Sequence, residues 1–297
     1  MRYRLKHRIE YGLLRAVGGL ANLLPYRAAL GMGSALARAG FALQGRRVRR
    51  AMRRVRQALD PGLSEVEVRD IFRRAWRHFA LNVIEDLRTP LLTVEWVDEH
   101  VDHRELQNVF GAMKDGHGAV LAAPHMGNWE LAGIAAQAKG LRIMTIARGQ
   151  RNPLVSSYIN ALRKSTGVEV YLHDARSFAG ILRRLKEGRV FALLTDLRAK
   201  GDWVKVNYLG RDAKIPTGAA HFARSAGVPL LPCYALREGP DHHVWKTFPP
   251  IWPDRALSRD ADVHRMTQYM MDFFTQAVRA HPDQYFWFNR RWVLGED

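Results

Sequence analysis

The sequence predicts an α/β fold, a single domain with a mostly parallel mixed β-sheet flanked by helices and a basic helical region at its N-terminal end. From residue 118 onward, short apolar runs alternate with helical patterns, which is typical of an α/β sheet. Hydrophobic residues make up 47% of the 297 residues, enough for a large core. No internal repeat or low-complexity linker divides the chain, so we expect one α/β domain.

The N-terminal region is basic and helical. Residues 5–58 have helical patterns, with interruptions near Pro25 and around Gly45. Residues 1–60 hold 14 of the 46 Lys and Arg residues but only two of the 29 acidic ones, so most of the net charge of +17 lies there. This excess predicts an anionic partner, such as phospholipid headgroups, nucleic acid or an acidic protein.

The same region offers no convincing membrane span. Its longest charge-free stretches, 16–26 and 28–37, are shorter than the roughly 18 residues that a span requires. No signal-peptide pattern follows either. Basic amphipathic helices of this kind are typical of segments that lie in the membrane interface. We therefore predict a basic, amphipathic, helical membrane-associating region at 1–60 and an α/β domain at 61–297.

The remaining elements follow in order. A turn at 61–64 places Ser64 as the N-cap of a helix that continues to about Arg88, and a short helix follows at 106–114. Candidate strands are 118–123, 142–147, 168–172, 189–195, 204–208, 228–236 and 243–249, and candidate helices are 129–139, 153–166, 176–187, 217–226 and 260–280.

The single cysteine limits the compartment. Cys233 has no second cysteine with which to form an intramolecular disulfide, which fits a reducing compartment. It lies in the apolar run 228–236, so we expect a buried, inert thiol.

The run 124–130, Pro-His-Met-Gly-Asn-Trp-Glu, carries the strongest chemical signal. It places His125 on a turn between a buried strand and a helix, with Glu130 in the first helical turn. A neutral imidazole is the best general base near neutral pH, and a carboxylate can fix its tautomer. The helix N-terminus also offers backbone N–H groups to an oxyanion or a phosphate. The alternative is a histidine that caps a turn beside a solvated glutamate.

Other kinds of site fit the sequence poorly. No second histidine follows His125 at the spacing of a zinc protease, and no Gly-x-Ser-x-Gly elbow is present. The pair Gly31 and Gly33 lacks the preceding strand and third glycine of a dinucleotide site. On a strand, His242 and His243 would face opposite sides and could not chelate together.

Several blocks of the chain, in the right order, resemble those of the bacterial lipid A biosynthesis acyltransferases, the lauroyl/myristoyl transferases of the glycerolipid acyltransferase superfamily. The run from His125 to Glu130 is similar to the His-x-x-x-x-Asp/Glu motif of that family. The other matching blocks are 11–15, 23–25, 85–88, 146–148, 152–154 with Arg163, 194–196, 208–210, 216–218, 281–287 and 290–292.

The resemblance implies transfer of a fatty acyl chain from a thioester, on acyl carrier protein or CoA, to a hydroxyl of a lipid A-type glycolipid. It places the enzyme on the cytoplasmic face of the bacterial inner membrane, in contact with anionic lipid, and implies no cofactor or metal. His125 would remove the hydroxyl proton and Glu130 would orient the imidazole. Backbone N–H groups near Gly127 and Asn128 would stabilise the oxyanion.

The remaining candidate residues belong to the same reaction. Asp196 ends a buried strand, where α/β sheets place their sites, and could be a second carboxylate partner for His125 or a capping residue of a loop. Arg148 also follows a strand and could hold a phosphate or the donor's phosphopantetheine, or lie on the surface. The candidate substrate-binding residues are Arg148, Asn128, Arg163 and Arg198.

Three alternatives stay open. The acceptor could be another lipid, such as a phosphoglycolipid, a lysophospholipid or an aryl lipid. A nucleic-acid-binding protein would explain the basic N-terminal region, but the basic residues lie among leucines and alanines rather than among stacking aromatics. A catalytically inactive membrane scaffold would not need the intact pair of His125 and Glu130.

Overall fold

The computed structural model describes residues 3–294, apart from 44, 114, 115, 148, 173, 174, 199 and 200. The helices are α1 (Leu5–Leu23), α2 (Tyr26–Leu43), α3 (Gly45–Ala58), α4 (Glu65–Leu87), α5 (Val94–His100), α6 (Leu106–Ala112), α7 (Trp129–Ala138), α8 (Pro153–Ser165), α9 (Ala175–Lys186), α10 (Gly218–Ala226) and α11 (Arg259–Ala280). The strands are β1 (Val101–Asp102), β2 (Ala119–Ala123), β3 (Ile143–Ala147), β4 (Glu169–Leu172), β5 (Val190–Leu194), β6 (Trp203–Tyr208), β7 (Arg211–Pro216), β8 (Leu230–Glu238) and β9 (His242–Thr247).

Seven strands form one mixed sheet in the order β1-β9-β8-β2-β5-β3-β4. Every neighbouring pair is parallel except β8 and β9, which are antiparallel. Both faces of the sheet are covered, because Val120 and Ala122 of β2 belong to one buried cluster whereas Ala119 and Leu121 belong to another. The predicted α/β class with a mostly parallel mixed sheet is confirmed.

The predicted strands and helices match the structure to within a few residues, but three elements went unrecognised: β7, α5 and the two-residue strand β1. Strand β7 forms a separate antiparallel hairpin with β6. Its residues alternate between polar and apolar and lack the apolar run that marks the other strands. The two-residue turn, Leu209 and Gly210, has positive φ angles of 54° and 80°, the twist that suits a tight hairpin. Helix α5 is only seven residues long and half charged or polar, so it gave a weak signal.

The N-terminal helices pack on the rest of the chain. Gly33 of α2 lies against Ile84 of α4, and the Trp76 indole donates to the Ala37 carbonyl at 2.9 Å. Arg54 of α3 is buried and donates to the Trp287 carbonyl at 2.8 Å. Within the ranges that the structure describes, no helix is long and apolar enough to cross a membrane. The division at residue 60 stays a prediction about membrane association.

Candidate active site

The register of two neighbouring strands brings His125 and Asp196 together. Strands β2 and β5 are parallel neighbours, and Ala123 pairs with Leu194 at their carboxyl ends. His125 and Asp196 each follow two residues after that pair. The imidazole Nδ1 consequently lies 2.6 Å from the Asp196 Oδ1, at the sheet edge where α/β folds place their sites.

The carboxylate of Asp196 is fully buried and surrounded by donors. Oδ1 accepts from the His125 ring, and Oδ2 accepts from the His125 backbone N–H at 3.0 Å and from the Tyr285 hydroxyl at 2.8 Å. Burial alone would raise the pKa of Asp196, but the nearby imidazole and these hydrogen bonds outweigh it and hold the pKa below its ordinary value. Asp196 is therefore an anion at neutral pH.

An ionised Asp196 fixes the tautomer of His125. A carboxylate can only accept, so the ring carries a proton on Nδ1, and the neutral tautomer with that proton has its lone pair on Nε2. The ring retains 13% side-chain exposure and packs edge-on against Trp129, with centroids 5.1 Å apart. Phe286 lies on another side of it, at 6.1 Å. The imidazole thus lies between two aromatic side chains and has limited access to water.

The turn after β2 requires glycine at position 127. Gly127 has a φ of 52°, and a Cβ on it would lie 1.5 Å from the Ala235 carbonyl oxygen. Its carbonyl accepts from the Asn82 side chain of α4 at 2.5 Å, and its N–H donates to the Gln284 carbonyl at 2.9 Å. The turn that carries His125 is therefore held from both sides.

Asn128 is the N-cap of α7. Its Oδ1 accepts from the Leu131 N–H at 3.0 Å and its Nδ2 donates to Glu85 at 2.8 Å. The side chain is 1% exposed. We predicted a substrate contact for Asn128, but these partners make it a capping residue that fixes the start of the helix.

Behind the turn lies a second buried carboxylate, Glu85 of α4. Arg237 donates to both of its oxygens and the His243 Nε2 lies 3.0 Å from Oε1. Burial alone would raise the pKa of Glu85, but His243 and Arg237 hold it well below the usual range. Burial lowers the pKa of His243 itself, so this ring is neutral. We call Glu85, Arg237, His243 and Asn128 the Glu85 network.

The structure corrects the partner of His125. We predicted that Glu130 orients the imidazole, but the Nδ1 partner is Asp196. Both oxygens of Glu130 instead accept from the Arg163 guanidinium of α8, at 2.8 Å for the bond from Nε. The reason is tertiary: the planar fork of an arginine matches a carboxylate, and α8 places that fork beside the first turn of α7.

Asp86, a half-buried acid whose Oδ1 atom is buried, accompanies that ion pair. Burial, followed by the charges of Glu130 and Glu85, raises the pKa of Asp86 well above its ordinary value. Its Oδ1 has no hydrogen-bond partner among the described residues. A protonated Asp86 avoids placing a third anion beside Glu130 and Glu85.

The predicted oxyanion donors also change. The Gly127 N–H already donates to Gln284 and is not available to a substrate. Helix α7 begins at Trp129, and the N–H groups of a first helical turn have no intrahelical acceptor. Since the Leu131 N–H donates to the Asn128 side chain, the remaining candidates are the N–H groups of Asn128, Trp129 and Glu130.

The two other candidate substrate-binding arginines are Arg198 and Arg148. The backbone N–H of Arg198 donates to the Arg291 carbonyl at 2.6 Å, two residues beyond Asp196. This contact ties the loop after β5 to the segment 284–292. Arg148 lies outside the described residues.

Sequence reasoning missed several residues that hold the site. Arg237 and His243 lie far from Glu85 in sequence and carried no motif of their own. Tyr285 entered the sequence analysis only as part of the matching block 281–287. Its adjacency to a Gln and a Phe gives no local sign that its hydroxyl contacts a carboxylate 89 positions away.

A buried carboxylate that hydrogen-bonds a histidine ring beside a helix N-terminus is an arrangement that suits general acid–base catalysis. The family model described as bacterial lipid A biosynthesis acyltransferase matches residues 3–293. The chain belongs to this family, and it is an acyltransferase.

Curated relatives agree with that class. The chain is 25% identical over 227 residues to a phosphatidylinositol mannoside acyltransferase of Mycolicibacterium smegmatis, a match that covers 75% of this chain and 73% of the relative. It is 30% identical over 201 residues to a phosphatidylinositol mannoside acyltransferase of Mycobacterium tuberculosis, covering 64% of this chain and 61% of the relative.

Proposed function

We propose that the enzyme transfers a fatty acyl chain from a thioester of acyl carrier protein or CoA to a hydroxyl of a membrane glycolipid of the lipid A type. The observation that carries this proposal is the 2.6 Å contact between the His125 ring and the buried Asp196 at the ends of adjacent strands. It supports a base that is oriented for a hydroxyl acceptor, and the family supports an acyl donor.

The reaction would proceed in one displacement. His125 Nε2 takes the proton of the acceptor hydroxyl while its oxygen attacks the thioester carbonyl. Asp196 stabilises the resulting imidazolium, and the N–H groups of Trp129 and Glu130 at the start of α7 hold the oxyanion. Collapse of the tetrahedral intermediate breaks the C–S bond, and the proton passes from His125 to the departing thiolate. A thioester is already activated, so no acyl-enzyme is needed.

The ion pair of Glu130 and Arg163 would border the substrate. Both side chains keep 22% exposure, so the pair is reachable from solvent. Two N–H groups of the guanidinium go to Glu130, and we propose that another binds an anionic group of the donor or acceptor. In this proposal Glu130 positions Arg163, rather than His125.

A second acceptor has a specific observation in its favour. Both relatives are named as acyltransferases of phosphatidylinositol mannoside, which is a phosphoglycolipid. Lipid A precursors and such lipids share sugar hydroxyls and phosphate groups, and the arrangement of His125 and Asp196 suits either. The acceptor therefore needs a direct comparison.

The test uses purified protein with acyl carrier protein or CoA thioesters and each acceptor class separately, with products identified by mass spectrometry. We expect one acceptor class to gain a single acyl group. His125→Ala should lower turnover by about 10²–10⁴-fold, because the base is lost, while His264→Ala, at an exposed position on α11, serves as the matched control. Full activity of the His125→Ala enzyme would refute the proposal.

Helix α1 supports a location on the membrane surface. Its exposed apolar side chains recur on one face, and basic residues flank that face. The apolar ones are Leu5, Ile9, Leu13, Leu20 and Leu23, and the exposed basic ones include Arg4, Lys6, Arg8 and Arg15. An apolar face turned to solvent and bordered by arginines suits insertion among anionic lipid headgroups. We propose peripheral binding to the cytoplasmic face of the inner membrane.

Vesicle flotation tests the membrane proposal. The double variant Leu5→Gln/Leu13→Gln should bind phosphatidylglycerol vesicles at least about ten-fold more weakly, since each leucine buries several CH₂ groups in the interface. Val66→Gln, which alters an exposed apolar residue of α4, is the control. Equal binding by the double variant and the control would exclude α1 as the contact.

A further inference from the structure

A chain of buried hydroxyl groups leads to the back of Asp196. The Tyr285 hydroxyl donates to Asp196 Oδ2 at 2.8 Å. The Tyr208 hydroxyl lies 3.2 Å from the Tyr285 oxygen, and the Trp292 indole N–H donates to that same oxygen at 3.0 Å. Tyr208, Tyr285 and Trp292 are each 1% exposed or less, so water does not compete for these bonds.

The direction of each bond in this chain is fixed by chemistry. A carboxylate can only accept, so Tyr285 must give its one proton to Asp196. An indole N–H can only donate, so Trp292 gives its proton to the Tyr285 oxygen. With its own proton committed, Tyr285 can only accept from Tyr208. Two donors therefore act on Tyr285, and both polarise its hydroxyl toward the carboxylate.

The hydroxyl groups keep their protons. Burial, followed by the charge of Asp196, raises the pKa of Tyr285 and of Tyr208 well above the ordinary value. Both therefore remain donors throughout the pH range in which an acyltransferase works. All of these hydrogen bonds are therefore donated in the direction of one anion, Asp196.

The segment that carries Tyr285 also contacts the turn that carries His125. The Phe286 N–H donates to the His125 carbonyl at 2.9 Å, and the Gln284 carbonyl accepts from Gly127. Met126 and Tyr285 form an isolated antiparallel bridge. Three consecutive residues thus contact the turn of His125 and the carboxylate of Asp196 together.

We propose that Tyr285 is a positioning residue for acyl transfer, which, supported by Tyr208 and Trp292, holds Asp196 in the orientation that fixes the His125 tautomer. The proposal rests on the proposed function, because Tyr285 acts on the base only through Asp196. Tyr208, Tyr285 and Trp292 lie in blocks that resemble the family, and the proposal assigns them a role.

The experiment compares three single hydroxyl deletions. Tyr285→Phe should lower kcat about ten-fold, the worth of one hydrogen bond to a charged group, with the KM for donor and acceptor unchanged. Tyr208→Phe removes only the second link and should lower kcat about two-fold. Tyr269→Phe, whose hydroxyl donates to the Pro249 carbonyl away from the site, should leave kcat unchanged.

Two further readouts separate positioning from a general structural effect. In the Asp196→Asn background, Tyr285→Phe should cost less than two-fold of the residual rate, because the anion it serves is gone. In proton NMR spectra, the downfield resonance of the His125 Nδ1 proton should move in Tyr285→Phe and stay in place in Tyr269→Phe.

An unchanged kcat and an unmoved Nδ1 resonance in Tyr285→Phe would overturn the proposal, as would an equal loss of rate with and without the Asp196 carboxylate. Should Tyr285→Phe fail to fold, Tyr208→Phe decides, and its full activity with an unmoved resonance would overturn the proposal. An active His125→Ala enzyme would refute the proposed function instead, and the resonance would still report on the hydroxyl chain.

Discussion

Asp196 and Glu85 are two fully buried carboxylates on either side of the same turn, and they differ in the partner that balances the charge. Glu85 faces the Arg237 guanidinium, which stays charged at every physiological pH. Asp196 faces the His125 ring and several neutral donors. Arginine cannot take part in proton transfer, whereas a histidine can gain and lose a proton near pH 7. The comparison teaches that the charge partner decides whether a buried acid fixes structure or supports chemistry.

The Glu85 network also contacts the backbone that carries His125. The Glu85 network holds Asn128, which caps α7, and Asn82 of the same helix α4 holds the Gly127 carbonyl. These contacts fix the backbone on which His125 is carried. Asp196 contacts the ring directly, so its effect on the base does not pass through the backbone.

The sharpest way to separate the two carboxylates is Asp196→Asn. An amide can donate to Nδ1, which moves the ring proton to Nε2 and removes the base. We expect kcat to fall by about 10³–10⁴-fold, by analogy with the loss seen when a triad aspartate becomes asparagine, with a smaller loss of stability than in Glu85→Gln. Steady-state kinetics and calorimetry measure both, with Asp70→Asn as a surface control. A fall below ten-fold would contradict a direct role for Asp196.

Glu85→Gln should have its main effect on stability. The substitution leaves the Arg237 guanidinium, which is 5% exposed, without its anion. We expect the free energy of unfolding to fall by about 3–5 kcal/mol, and kcat per folded molecule to fall much less than in Asp196→Asn. Urea unfolding and active-site-normalised rates measure the two. Glu99→Gln, at an exposed glutamate, is the control. Unchanged stability would show that the network is not a structural one.

The smallest effect concerns acid pH. The folded-state pKa values of Glu85 and Asp196 both lie below their ordinary values. Each group therefore stabilises the fold above its unfolded pKa of about 4, and loses that contribution as pH falls toward the folded value. Below about pH 4 we expect the free energy of unfolding to fall less steeply in Glu85→Gln than in the parent chain, by about 1.4 kcal/mol per pH unit. Equal slopes in urea titrations would mean that Glu85 does not ionise differently on folding.

Local signals predicted most of the secondary structure and part of the site. Apolar runs located the strands of the main sheet, and the break after β2 placed His125 at a strand end. They could not show that β2 and β5 are neighbours, because strand order is set by packing between distant segments. Asp196 therefore remained one of two candidate partners, and the nearer residue in sequence, Glu130, was given the role that the register gives to Asp196.

The rest depended on pairs that are far apart in sequence. Arg163 meets Glu130 only because α8 packs beside α7, and Arg237 meets Glu85 across 152 positions. A single sequence shows each charged residue but does not show which residue it pairs with in the fold. Strand β7 was not predicted for a different reason: its alternating residues resemble a polar loop when they are considered alone.

The bridge between Tyr285 and Met126 has a consequence for synthesis of the enzyme on the ribosome. Residues 284–286 are translated after every strand of the sheet, so a growing chain can assemble its framework before the pair of His125 and Asp196 is secured. The contacts that this stretch makes with the turn of His125 and with Asp196 consequently cannot form until it has been synthesised.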